Sequence, residues 1–300
     1  MSRVSRGTPE ADAYLDLKNR AQREKRPTQE LLQLYVLEAF LSRLAASELR
    51  DRFVLKGGVL LAAFDERRPT RDVDLAGLDV TNDAATMLRL IRSIVERVPP
   101  VEDGVMFAPE TATSEVIREE DAYPGVRVSM GARLASASLP FHVDINVGDP
   151  IWPASSMVAM PRLRGGDAIV LAGYPIHMVH AEKIVTAIQR GIANTRWRDF
   201  GDIWTLSRRH SVSASDLREA IDTVAAHRGV QLAPMVEVLD GYADLGQARW
   251  IAWRRRSNSD HLPGSFADVL GAVAAFADPV IDGRAGGMRW EATTSAWRNA

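Results

Sequence analysis

The stretch Phe53-Val54-Leu55-Lys56-Gly57-Gly58, followed by Asp72-Val73-Asp74-Leu75, constrains this chain more than any other. Phe53 to Leu55 is a short apolar run that enters a Gly-Gly turn, and Val59 to Phe64 reads as the first turns of a buried helix. Two glycines at a strand-to-helix junction let backbone N–H groups approach a phosphate, and the start of a helix favours negative charge. Asp72 and Asp74 stand two apart in a run with strand character. Period two then puts both carboxylates on one face, with Val73 and Leu75 on the other. Carboxylates that close repel each other unless a cation lies between them. A hard divalent ion with oxygen ligands, Mg²⁺ first, is the natural occupant. Each signal alone is common, since Gly-Gly often marks only a turn and Asp-x-Asp arises by chance on exposed edges. Together, and with a third aspartate further on, they are specific.

With 300 residues the chain has room for one large domain or two modest ones. It contains no cysteine, which excludes disulfides, thiolate metal sites and a thiol nucleophile. The six histidines are scattered without ligand spacing, which argues against a zinc site. The first residues lack the apolar run of a signal peptide, and no segment is long enough to span a bilayer. A cytoplasmic protein with no membrane partner is therefore expected. The net charge is −2, from 37 basic and 39 acidic residues, so any nucleic-acid contact must use a local patch.

Along the chain, Ala11 to Glu24 is helix-compatible with a thin apolar face. Thr28-Gln29-Glu30 opens a stronger helix from Leu31 to about Ala46, expected to pack on the sheet. Asp83 to Val98 reads as a further helix, ended by Pro99-Pro100. From Val105 to Val147 the pattern changes to extended runs that suggest antiparallel strands completing a mixed sheet. Within that region Glu115 to Asp121 reads as a loop or a strand edge. In the last run His142, Asp144 and Asn146 share one face, so Asp144 joins Asp72 and Asp74 if its strand neighbours theirs.

Met160 to Gly173 reads as a crossing between two domains, residues 1–165 and residues 166–300, and beyond it the pattern is helical. His180 to Arg190 and Arg198 to Arg209 are helices separated by a break at Gly191. One straight helix would hold Lys183 and Asp202 roughly 28 Å apart. A turn at Gly191 lets both face one cleft. Spacing alone favours a structural reading, with an Asp202–Arg198 pair at i,i+4 and a solvated Lys183. Ala214 to Ala226 is a further helix. The window Arg249 to Arg256, with Trp250 and Trp253, suits either RNA contact or a core anchored by two tryptophans with solvated arginines. Leu262 to Ala277 closes with an apolar helix, and the polar tail from Asp282 reads as loose.

Lys56-Gly57-Gly58 with Arg68-Pro69-Thr70-Arg71-Asp72-Val73-Asp74-Leu75 resembles the AbiEii/MenT family of nucleotidyltransferase toxins, within the superfamily typified by DNA polymerase β. The family pattern is Lys-Gly-Gly, then Arg-x-Thr-x-Asp-hydrophobic-Asp-Leu, and every position is filled. Gly148-Asp149-Pro150 resembles the turn that ends the strand of the third aspartate. Ala181-Glu182-Lys183 and Arg198-Asp199-Phe200-Gly201-Asp202 resemble the family's Ala-x-Lys helix and its arginine-led Asp-x-x-Asp helix. Arg196 also lies near, which leaves open which arginine matches. The resemblance covers about residues 50 to 205.

That resemblance implies an α+β, bilobed protein, with a polymerase β-like mixed-sheet domain carrying an N-terminal helical arm and a helical C-terminal domain completing the cleft. It implies a metal-dependent toxin that transfers NMP from an NTP to the 3′ acceptor end of tRNA and so blocks translation, neutralised by a cognate antitoxin. Asp72, Asp74 and Asp144 would hold two Mg²⁺ ions, with Mn²⁺ as a substitute. Lys56, Gly57, Gly58 and Lys183 would bind the nucleotide, and Asp202 would position substrate or Lys183. A small-molecule or protein acceptor, and a non-catalytic regulator on the same scaffold, are the alternatives.

Overall fold

The computed structural model describes residues 4–118 and 124–299. The chain divides into two compact units, Met1–Gly148 with Ser156–Gly173, and Asp149–Ser155 with Tyr174–Ala300.

In the first unit, helix α1 (Pro9–Glu24) starts where the Thr8 side chain accepts from the Ala11 N–H, with proline at the first turn. Helix α2 (Thr28–Ala45) is buried from Leu31 through Leu44 on all sides. A helix apolar nearly all round must lie inside a core. There follow strand β1 (Phe53–Lys56), the short helix α3 (Gly57–Leu60) and strand β2 (Val73–Gly77). Helix α4 (Ala84–Val95) is capped by Asp83, whose carboxylate accepts from the N–H groups of Ala85 and Thr86. Strands β3 (Val105–Arg118), β4 (Pro124–Leu134), β5 (Ala137–Val147), β6 (Ser156–Met160) and β7 (Ile169–Gly173) complete the unit.

These form one seven-stranded sheet in the order β3-β4-β5-β2-β1-β7-β6. β2 and β5 are parallel, as are β1 and β7, and the other neighbours are antiparallel. The mixed sheet expected from the sequence is present. Along β5, Phe141, Val143 and Ile145 are fully buried. The Phe141 ring lies 5.1 Å from Phe40 of α2 and 5.0 Å from Phe107 of β3. Burying a side chain of this size contributes about 1.5–3 kcal/mol, so these contacts tie α2 to the sheet. Two buried polar side chains of α2 are paired inside the seam. Gln33 Nε2 donates to the Pro140 carbonyl at 2.9 Å, and Arg43 Nη1 donates to Asp103 Oδ2 at 2.6 Å.

The segment read as a domain crossing, Met160 to Gly173, instead contributes to this sheet. β6 ends in it and β7 fills its second half, while Gly165 and Gly166, both with positive φ, lie in the hairpin connection. Ile169-Val170-Leu171 is too short an apolar run to stand out beside those glycines. Glu115 to Arg118 belongs to β3, and the rest of that expected loop or edge, through Asp121, lies outside the described residues.

The second unit holds helices α5 (Ile176–Arg190), α6 (Trp197–Ser207), α7 (Ala214–Arg228), α8 (Met235–Val238), α9 (Tyr242–Arg256) and α10 (Phe266–Ile281), then the hairpin β8 (Met288–Glu291) and β9 (Ala296–Asn299). α5 begins a turn earlier than His180 because Pro175 presets its entry, and α10 begins at Phe266, where Ser265 caps the Asp268 N–H. An aromatic cluster forms the core. Phe266 packs on Trp197, Phe200, Tyr242 and Trp250. Trp250 is therefore a core anchor, and Arg249, Arg255 and Arg256 are exposed. The tail expected to be loose is ordered by two tryptophans. Trp290 Nε1 donates to the Ser207 carbonyl and Trp297 Nε1 to that of Phe276.

Candidate active site

Residues paired directly across neighbouring strands point to the same face. In this sheet Lys56 pairs with Asp74, Asp74 with Asp144, Asp144 with Arg127, and Arg127 with Glu115. One transverse row over five strands thus carries Lys, Asp, Asp, Arg and Glu. Asp72, two residues before Asp74, adds a third carboxylate. Among the described residues, Asp72, Asp74 and Asp144 each offer an oxygen, and these oxygens all lie within 4.8 Å of one another. The parallel pairing of β2 with β5 is what brings Asp144 in, as the alternation along its strand required.

The turn is shaped for the same cluster. Gly57 has φ +66°, and a Cβ built on it would meet Asp74 Oδ2 at 1.8 Å. A Cβ on Gly58 would meet Thr70 Oγ1 at 2.7 Å. The two glycines let the Asp74 carboxylate and the Thr70 hydroxyl lie against the turn backbone. Thr70 is buried, and its hydroxyl donates to Asp72 Oδ1 at 3.1 Å. Lys56 ends β1 buried beside this turn. Gly57, Gly58, Thr70, Asp72 and Asp74 of the two motif stretches are thus tied together by contact or by close approach.

Arg127 was not singled out in the sequence, and it makes a bidentate pair with the cluster. Its Nε donates to Asp144 Oδ1 at 2.7 Å and its Nη2 to Asp144 Oδ2 at 2.6 Å. Nη2 also lies 4.0 Å from Asp72 Oδ2. The hydrogen bonds and charge of Asp144, followed by the charges of Asp72 and Glu115, hold the guanidinium protonated far beyond its ordinary range. The alternation Val126-Arg127-Val128 was its one available signal.

Three all-oxygen acidic side chains at this separation suit a hard divalent cation such as Mg²⁺ or Mn²⁺. Soft metals have no ligand here.

In the second unit the structure brings Lys183 to both aspartates of α6. Its Nζ donates to Asp199 Oδ1 at 3.1 Å and to Asp202 Oδ2 at 2.8 Å. The chain reverses through a single 3-10 turn, Gly191–Ala193, with Gly191 at φ +52°. Of the two arginines the sequence left open, Arg196 is the one whose Nε donates to Asp199 Oδ2, at 2.7 Å, while Arg198 is exposed. Burial alone would push the Asp199 carboxyl up, but Lys183, Arg196 and Arg198 outweigh it and hold it well below the usual range. One turn before Lys183, His180 is fully buried with no hydrogen-bonding partner at either ring nitrogen. Burial, aided by His177, Lys183 and His210, pushes its pKa down to about 3.

No helix among the described residues is long and apolar enough to cross a membrane. Residues 39–278 match the protein-family model described as "Nucleotidyl transferase AbiEii toxin, Type IV TA system". Among solved structures, the chain is similar to JHP933 from Helicobacter pylori at 14% identity and a TM-score of 0.50, covering 85% of this chain and 94% of that one. A candidate nucleotidyltransferase from H. pylori is similar at the same identity and TM-score, with 85% of this chain and 97% of that one covered. At that identity the likeness speaks to fold alone. Comparison with curated proteins gives no match.

Proposed function

Because the chain belongs to the AbiEii family of nucleotidyltransferase toxins of type IV toxin–antitoxin systems, we propose that it transfers NMP from an NTP to the 3′ end of tRNA. The observation that carries this reading is the convergence of Asp72, Asp74 and Asp144. Family membership makes the chain the toxin half of a pair, with an antitoxin as its partner and an NTP as its substrate. A tRNA acceptor and a cytoplasmic location belong to the proposal.

In this reading the acceptor 3′ oxygen bonds to the α-phosphorus of the NTP. The bond from that phosphorus to the bridging oxygen breaks, and pyrophosphate leaves. Asp72, Asp74 and Asp144 would hold the divalent cations, Mg²⁺ or Mn²⁺. When bound, such ions supply charge neutralisation at the attacking and leaving oxygens of an in-line displacement. Asp144 takes the proton of the acceptor hydroxyl. The Gly57 and Gly58 backbone and Lys56 receive phosphate oxygens, a role suited to a turn with no side chain in the way. Thr70 fixes the rotamer of Asp72 through its hydrogen bond. Lys183 is assigned the remaining triphosphate charge, and Asp202, with Asp199, positions its ammonium.

The test is incubation of the purified protein with Mg²⁺, total tRNA and each labelled NTP in turn, beside Asp72→Asn. Label on tRNA with one or two NTPs, lost in the variant, is the expected result. Label on a protein or small molecule instead would change the acceptor, and no NTP binding at all would sink the enzyme reading.

A further inference from the structure

The guanidinium of Arg127 lies in the region that any cation bridging the three carboxylates has to share. Its bidentate bond engages both oxygens of Asp144, and the same Nη2 reaches to 4.0 Å from Asp72. A fork-to-fork pair of this kind uses the lone pairs that point outward from the carboxylate, which are the ones a metal ligates best. A fixed unit charge at this distance also opposes a divalent ion directly. Arginine cannot relieve the conflict by losing its proton, so relief requires movement.

The surroundings allow that movement. The Arg127 side chain is 34% exposed, against 11% for Asp144, so it can swing without opening the core. A second landing site is also built in. Glu115 is the direct strand partner of Arg127 on the side away from Asp144, and it is exposed. Arg127 thus stands in register between two carboxylates, one belonging to the cluster and one outside it.

We infer that Arg127 is an internal rival of the divalent cation, released from Asp144 toward Glu115 when metal binds. This rests on the reading of Asp72, Asp74 and Asp144 as a metal site. Arg127 is then a positioning residue. It holds the third carboxylate in place before loading and sets how tightly the protein takes metal on its own.

The test is titration of the full chain with Mn²⁺ alone, without nucleotide, following free Mn²⁺ by electron paramagnetic resonance. Arg127→Met is expected to bind Mn²⁺ about tenfold more tightly than wild type or better, by loss of a unit charge beside the site. Glu115→Gln, which removes the outer landing site, is expected to bind it several-fold more weakly. Asp144→Asn in the Arg127→Met background returns the affinity toward or below that of wild type. Circular dichroism verifies that each variant is folded. Equal or weaker Mn²⁺ binding by folded Arg127→Met overturns the inference. If that equal binding is abolished by Asp74→Asn, the metal site stands and only the inference falls. If no folded variant binds Mn²⁺, both fall together.

Discussion

Lys183 Nζ donates to Asp202 Oδ2 at 2.8 Å across 19 residues of sequence, and the same ammonium reaches Asp199. Both carboxylates are nearly inaccessible, at 3% and 4% exposure. Breaking a buried ion pair by removing one partner is destabilising, by up to about 3–5 kcal/mol. Lys183→Met should therefore lower stability by that order as well as impair activity. The double variant Lys183→Met with Asp202→Asn should regain part of the stability and none of the activity. Thermal unfolding of both variants, beside the tRNA-labelling assay, separates the two effects. A single variant as stable as wild type would contradict the buried triad.

Gly57→Ala tests the turn. An alanine there must adopt φ +66°, at about 1–2 kcal/mol, and its Cβ would lie where Asp74 Oδ2 now is. The carboxylate has to move by an ångström or more, a displacement able to cost on the order of 100-fold in rate. The expected outcome is a folded protein with a modest loss of melting temperature and a large loss of kcat. An active Gly57→Ala would show that Asp74 does not need this approach.

His180 sets an acid limit on the second unit. Its folded pKa is pushed down to about 3, below the ordinary value of 6.5, so the unfolded chain binds the proton that the folded chain refuses. Stability from this group is intact above about pH 6.5 and falls as pH drops toward 3, by up to roughly 1.4 kcal/mol per pH unit. His180→Leu should flatten the dependence of the urea midpoint on pH between 6.5 and 4.5. Parallel slopes for the two proteins would place the acid sensitivity elsewhere.

The candidate site was legible in the sequence where local period and motif coincide. Asp72 and Asp74 needed only two-residue alternation, and Asp144 needed that plus the correct strand neighbour. Arg127 was not legible, because its face depends on the register of β4 on β5. A slip of one residue would turn its side chain to the other side of the sheet. Arg196 was ambiguous because it precedes α6 and folds forward onto Asp199, a contact set by cap geometry rather than helix spacing. β6 and β7 escaped notice as runs of five residues, the first between Pro153 and Pro161 and the second between Gly166 and Pro175. The β8–β9 hairpin depends on Trp290 and Trp297 finding carbonyls on Ser207 and Phe276, a long-range match that no local pattern carries.

Nucleotidyl transfer to the 3′ hydroxyl of tRNA can be put to one comparison. Total tRNA, intact or with its 3′ terminus oxidised by periodate, is incubated with the protein, Mg²⁺ and the preferred labelled NTP. The expected result is label on intact tRNA and none on oxidised tRNA, with pyrophosphate released in step with label. Equal labelling of both tRNAs, or pyrophosphate released with neither labelled, would contradict it.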